Sequence, residues 1–195
     1  MSAAAGTAAS AVRDHVVAAL WGFAEATVFF VVPDVWLSAV AMRRLPRGLA
    51  CAASATAGAL VGGAVVHRWG ARAPRGDSAR ALTRIPAISA AMVRGVEREL
   101  AEQGFTAVLR GPLRGTPYKI YARTAGLRGD SLPRFLAWSV PARAPRFLVV
   151  TAAVAALDAA HSRLRPRAPG WVRWVVFGAG WSAFYAWYFR TVGRR

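Results

Sequence analysis

Residues 16–42 read VVAALWGFAEATVFFVVPDVWLSAVAM, an apolar run interrupted by Glu25, Pro33 and Asp34, three residues that a simple transmembrane span would avoid. Polar backbone groups have no partner in lipid, so an apolar segment broken in this way must be buried in protein or line a watery cavity. A second stretch, residues 105–126, reads FTAVLRGPLRGTPYKIYARTAG. It alternates apolar residues with cations and is broken by Gly111, Pro112, Gly115 and Pro117, so no straight helix accommodates it. Paired interrupted segments are the best pure-sequence pointer to a transporter's binding site. Two re-entrant hairpins facing each other from opposite sides would meet near the membrane centre.

The rest of the 195-residue chain is consistent with lipid as its solvent. Hydrophobic residues make up 55% of it and its mean hydropathy is +0.31, while several spans of about 20 residues would consume most of its length. Residues 48–66 carry no charge and place Gly58 and Gly62 in the small-xxx-small spacing of close helix contacts. Residues 132–160 form another long apolar segment, interrupted by Pro141, Arg143, Pro145 and Arg146. Residues 171–190, with Trp171, Trp174, Trp181 and Trp187, suit a span with aromatic belts. Between them, residues 67–84 read as a hydrophilic connection. In residues 85–103, Ile85, Ile88, Met92, Val96 and Leu100 recur at helical spacing, which gives an amphipathic helix ending near Gly104. The expected fold is all-α: one polytopic membrane domain with about three full transmembrane helices, two opposed re-entrant helical hairpins and one amphipathic helix.

Charge narrows the partners. Lys and Arg number 26 against 9 acids, a formal excess of 17, which alone would admit a nucleic-acid binder. The arginines instead fall in short groups that flank uncharged stretches: Arg43, Arg44 and Arg47; Arg68, Arg72 and Arg75; Arg163, Arg165 and Arg167; Arg190, Arg194 and Arg195. That pattern fits anionic lipid head groups and excludes nucleic acid as the favoured partner. Cys51 is the one cysteine, and His15, His67 and His161 are scattered, so no disulfide, metal site or other cofactor is expected. The first twelve residues lack the basic start of a secretory signal and read as part of the mature membrane protein.

The broken segments carry the candidate chemistry. Glu25 lies about ten positions beyond Asp14, hence roughly 15 Å deep along a helix, where a carboxyl group could exchange a proton. The alternative is a salt bridge held for packing alone. Asp34 could either cap the half-helix that begins at Val35 or act with Glu25 as a proton or gating group. In the second segment, Thr116 and Pro117 suit a helix start and Gly126 a helix stop. The resulting half-helix, residues 117–125, would aim its positive N-terminus at an anion, with Lys119 and Arg123 on one face and Arg110 and Arg114 as a second wall. Ordinary snorkelling cations are the alternative reading of these four. Arg143 and Arg146, beside Pro141 and Pro145, either extend the phosphate-binding pocket or anchor a helix at the interface.

Two groups of residues carry a resemblance. Pro117, Tyr118, Lys119, Ile120 and Tyr121, through Ala125 and Gly126 to Phe135, Arg143, Arg146 and Phe147, resemble the second signature region of the DedA superfamily, particularly its YqaA-like branch. This is also called the SNARE-associated Golgi protein or VTT-domain family. The stretch from Glu25 to Asp34, with Pro33 and the run into Leu37 and Ala39, is similar to the first signature. The chain departs from the common pattern in having Pro33, Asp34 and Val35 where Pro-Gly-Glu is usual, and Lys119 or Arg114 where the second hairpin usually has its Arg. The resemblance implies a polytopic membrane protein with two opposed re-entrant hairpins and, as in characterised members, translocation of phosphate-bearing lipids, with proton coupling proposed in bacteria; the expected location is a bacterial cytoplasmic membrane.

The leading expectation is therefore a lipid flippase or scramblase, with Lys119 and Arg123 and either Arg110 or Arg114 on the phosphate and Glu25 exchanging a proton. The rival is a structural or adaptor membrane protein, which would have its hairpins sealed by bridges between Glu25 and an arginine, with no cavity. An enzyme is disfavoured because no His stands beside a nucleophile or a second His. Homo-oligomerisation is left open. The excess of Arg over Lys, 25 to 1, points to a GC-rich bacterial source.

Overall fold

The computed structural model describes residues 2–191, with side chains from residue 7 on. Arg194 and Arg195 lie outside the described residues. Among the described residues there are helices and no strands: α1 (Ser2–Thr27), α2 (Asp34–Arg43), α3 (Leu45–Arg72), α4 (Arg75–Thr83), α5 (Ala90–Gln103), α6 (Thr106–Arg114), α7 (Tyr118–Leu127), α8 (Leu132–Leu164) and α9 (Gly170–Thr191). Two of them, α3 and α8, are long and apolar enough to cross a membrane. The segment expected as a third span is a single helix, α9, but its composition does not place it with those two.

Local sequence explains most boundaries. Pro46 sits in the first turn of α3, where its missing N–H costs nothing, and Pro74 follows the helix end. The Ser89 hydroxyl caps α5 by accepting from Met92 N at 3.1 Å. That cap corrects the expected start of the amphipathic helix from 85 to Ala90, because Ile85 and Pro86 lie in the preceding turn. Part of the connection expected over 67–84 is also helical: α3 runs on to Arg72 and α4 follows. Gly115, in the left-handed region at φ 70°, ends α6. In α8, Pro141 and Pro145 sit inside one continuous 33-residue helix.

The core is built around α3, which packs against α1, α2, α7 and α8. Small residues make the close approach possible. A Cβ on Gly58 would fall 1.9 Å from the Ala19 carbonyl oxygen of α1, and one on Gly62 would fall 2.8 Å from the Cβ of Ala26. Gly126 was expected to stop the second half-helix, yet α7 continues through it to Leu127. Its role is contact, since a Cβ there would lie 1.9 Å from the His67 carbonyl oxygen of α3.

Both broken segments form helical hairpins. The first bends over residues 28–33, and α2 returns along α1 so that Trp36 Nε1 donates to the Asp14 carbonyl at 3.1 Å. The second bends at 115–117 between α6 and α7. Phe105, at the foot of α6, lies tilted against Phe135 in the first turns of α8, while Arg173 of α9 ties the end of α2 to Asp158, late in α8. The two hairpins thus approach from opposite ends of α8 and meet partway along it.

Candidate functional site

The bends touch. Lys119, in the first turn of α7, is 1% exposed, and its Nζ donates to the Phe29 carbonyl in the first bend at 2.6 Å. That carbonyl is available because the chain leaves the helical ladder at Thr27. From α8, Arg143 pairs with Glu25 of α1 and Arg146 pairs with Asp34 of α2, so both arms of the first hairpin are tied to the same helix by ion pairs. The Arg143 guanidinium also lies over the rings of Tyr118 (4.6 Å) and Phe147 (5.0 Å). Tyr118 in turn donates to Ser139 Oγ at 2.8 Å.

Asp34 does not cap α2. Pro33 holds the N-cap position without a side-chain bond, and the Asp34 carboxylate, the first residue of the helix, accepts from Arg146. Arg143 and Arg146, whose sequence context admits either pocket extension or interfacial anchoring, both line the cavity.

Around these groups lies a cavity of about 940 Å³. Its charged lining is Glu25, Arg114, Lys119, Arg143 and Arg146, which is four cations and one carboxylate. Phe29 and Phe30 from the first bend, with Phe184, Tyr185 and Trp187 from α9, supply an apolar side. Arg114 is committed to Glu99 at 2.6 Å, Arg143 to Glu25 and Arg146 to Asp34. Lys119 alone of the four has a carbonyl and no carboxylate as its hydrogen-bond partner among the described residues. An ammonium has three donors, so this one retains capacity for an anion.

Two expected phosphate ligands are not in the cavity. Arg123 is fully buried, but its guanidinium points to α4 and α5, where it binds Ser78 Oγ at 2.8 and 2.9 Å, the Arg75 carbonyl at 2.6 Å and the Glu97 carboxylate. Four residues of helix put Lys119 and Arg123 on one face, but also about 6 Å apart along the axis, and a buried guanidinium goes where acceptors are. Arg110 is exposed and donates to Gln103 at 2.6 Å. Its i, i+4 partner Arg114 reaches the cavity because α6 ends there at Gly115.

Sequence reasoning missed the tyrosines of α9 as site residues. Tyr185 OH accepts from Val32 N in the first bend at 2.8 Å, and Tyr188 OH donates to the Gly115 carbonyl in the second at 2.9 Å. Both partners are backbone groups freed by the bends. Two tyrosines three apart on a mostly apolar helix, whose Arg173 and Arg190 lie near its ends, were the available signal.

Comparison with protein-family models, curated proteins and solved structures finds no match for this chain. The functional reading therefore stands on the site's own geometry. Metal ligation has no support in it either, since no group of three or more His, Cys, Asp or Glu side chains converges among the described residues.

Proposed function

We propose that the protein translocates phosphate-bearing lipids across a membrane, with α1–α2 and α6–α7 as re-entrant hairpins and the cavity between them as the passage for the head group. The observation that carries this reading is the cavity's lining: four cations against one carboxylate on one side, aromatic rings on the other, and one ammonium without a carboxylate partner. An amphiphile with an anionic end matches such a surface. Lys119 holds the phosphate, Arg143, Arg146 and Arg114 supply the surrounding positive field, and Glu25 releases Arg143 when it takes up a proton. Asp34 governs the first hairpin through Arg146. The resemblance to the DedA superfamily points the same way, towards a bacterial cytoplasmic membrane.

The structural or adaptor reading required Glu25 bridged to an arginine and no cavity. The bridge is present, but so is the cavity, which favours transport. Reconstitution into phosphatidylcholine vesicles containing fluorescent phosphatidylglycerol tests it: wild type is expected to equilibrate label between leaflets, faster under a pH gradient. Absence of translocation would overturn the proposal. Equal rates for wild type and Glu25→Gln would overturn the proton step while leaving lipid movement intact.

A further inference from the structure

A second cavity, of about 720 Å³, lies along the seam between α8 and α9 and has no part in the reading above. Its size is that of a ligand site. Val150, Val154 and Leu157 of α8 and Val176, Phe177 and Trp181 of α9 make its walls apolar, and the polar lining is confined to its two ends. At one end is the Asp34–Arg146 pair, whose arginine also lines the first cavity. At the other, Asp158 and His161 of α8 face Arg173 of α9. Arg146 and Asp158 are separated by roughly 18 Å of helix, the span of a chain and not of a head group.

The outer end is equipped for an anion. Arg173 uses Nε and Nη2 on Asp158 and the Met42 carbonyl, which leaves the two donors of Nη1 uncommitted. His161 Nε2 is shut off from solvent and has no hydrogen-bond partner. Four and six residues past His161 the connection after α8 carries Arg165 and Arg167, whereas Arg43 at the end of α2 is engaged with Asp14 and the Trp36 ring. The walls also need filling, because α9 buries none of its own described residues against the rest of the chain.

We propose that this seam binds one anionic glycerophospholipid, its acyl chain in the cavity and its phosphate at Arg173 and His161. The site is a resident one, measured at equilibrium, so it stands or fails independently of whether the first cavity moves lipid.

Native mass spectrometry from neutral detergent, with phosphatidylglycerol or phosphatidylcholine added, tests it. One phosphatidylglycerol per chain is expected to be retained at concentrations where phosphatidylcholine is not. Gly180 lines the seam and a Cβ there meets nothing within 4 Å, so Gly180→Phe fills the cavity without striking backbone and is expected to abolish retention. Gly178, equally open but roughly 200° round the helix, gives the control, and Gly178→Phe retains the lipid. Removing the pair together with Asp158→Asn and Arg173→Gln avoids a stranded charge and weakens retention about tenfold. Equal retention of the two lipids, none of either, unchanged retention by Gly180→Phe, or a lipid-free dimer would each overturn the proposal.

Discussion

Of 26 basic residues, 25 are arginine, and the one lysine stands at the contact between the two bends. An ammonium differs from a guanidinium in being compact and in lacking the planar fork that locks onto a carboxylate. At position 119 it can hold the Phe29 carbonyl and still offer a donor to a passing phosphate. Lys119→Met, which keeps the length and apolar stem, is expected to slow translocation about tenfold or more, as loss of a charge-assisted bond would, with little change in thermal stability. Arg143 behaves differently. Arg143→Met strands the buried Glu25 carboxylate and is expected to cost about 3–5 kcal/mol, most of which Glu25→Gln restores when added, as thermal unfolding in detergent would show. Glu25 could be singled out by residue type and depth, and helical spacing singled out Arg114 and Lys119, which line the cavity, together with Arg110 and Arg123, which do not. Arg123 could not be assigned, because its acceptors, Ser78, Glu97 and the Arg75 carbonyl, lie 26 to 48 residues away in sequence.

Among the elements, α4 and α5 form a clamp on the second hairpin. Glu97 takes Arg123 of α7 and Arg75 of α4, and Glu99 takes Arg114 of α6 and Tyr121 of α7. Burial pushes the Glu97 carboxyl up, but the hydrogen bonds from Arg75 and Arg123 outweigh it and leave the group below its ordinary value of 4.5. A depressed carboxylate contributes its stability in full above the unfolded value and loses it as pH falls through the folded one. Protection of amides in α5 and α7, taken relative to the intrinsic exchange rate at each pH, is therefore expected to fall below about pH 4.5, and Glu97→Gln to remove that acid dependence. The amphipathic pattern of α5 was plain from its apolar spacing, but what it covers was not: Val93, Val96 and Leu100 bury against α7 and its neighbours, a tertiary choice that periodicity does not encode. The helix crossings respond to volume in the same way. Gly58→Val would drive side-chain atoms into the Ala19 carbonyl and is expected to lower stability by about 1–3 kcal/mol in the same unfolding assay.

In the whole molecule, two helical hairpins could be anticipated because Pro and Gly interrupt two apolar stretches, whereas their attachment to a common helix could not. The prolines at 141 and 145 looked like breaks in a span, yet the neighbouring turns carry α8 straight through them. Each proline lacks the N–H that would reach back four residues, so the helix gives up bonds to the carbonyls of Ala137 and Pro141. Those missing rungs bracket Arg143 and adjoin Arg146, the two points at which the first hairpin is fastened, and Ser139, which holds Tyr118 of the second, lies about one turn before Arg143. The mast that carries both charged moorings is thus most compliant at the height where they are made fast. A modest flexure of that single rod would shift the first hairpin's ion pairs relative to Ser139, while the glycine-packed contacts of α1 and α7 on α3 hold the other faces of the two hairpins in place. Spin labels on its two halves should report a broader spread of separations in the native sequence than in a Pro141→Ala, Pro145→Ala variant; identical spreads would mean that the rod is rigid.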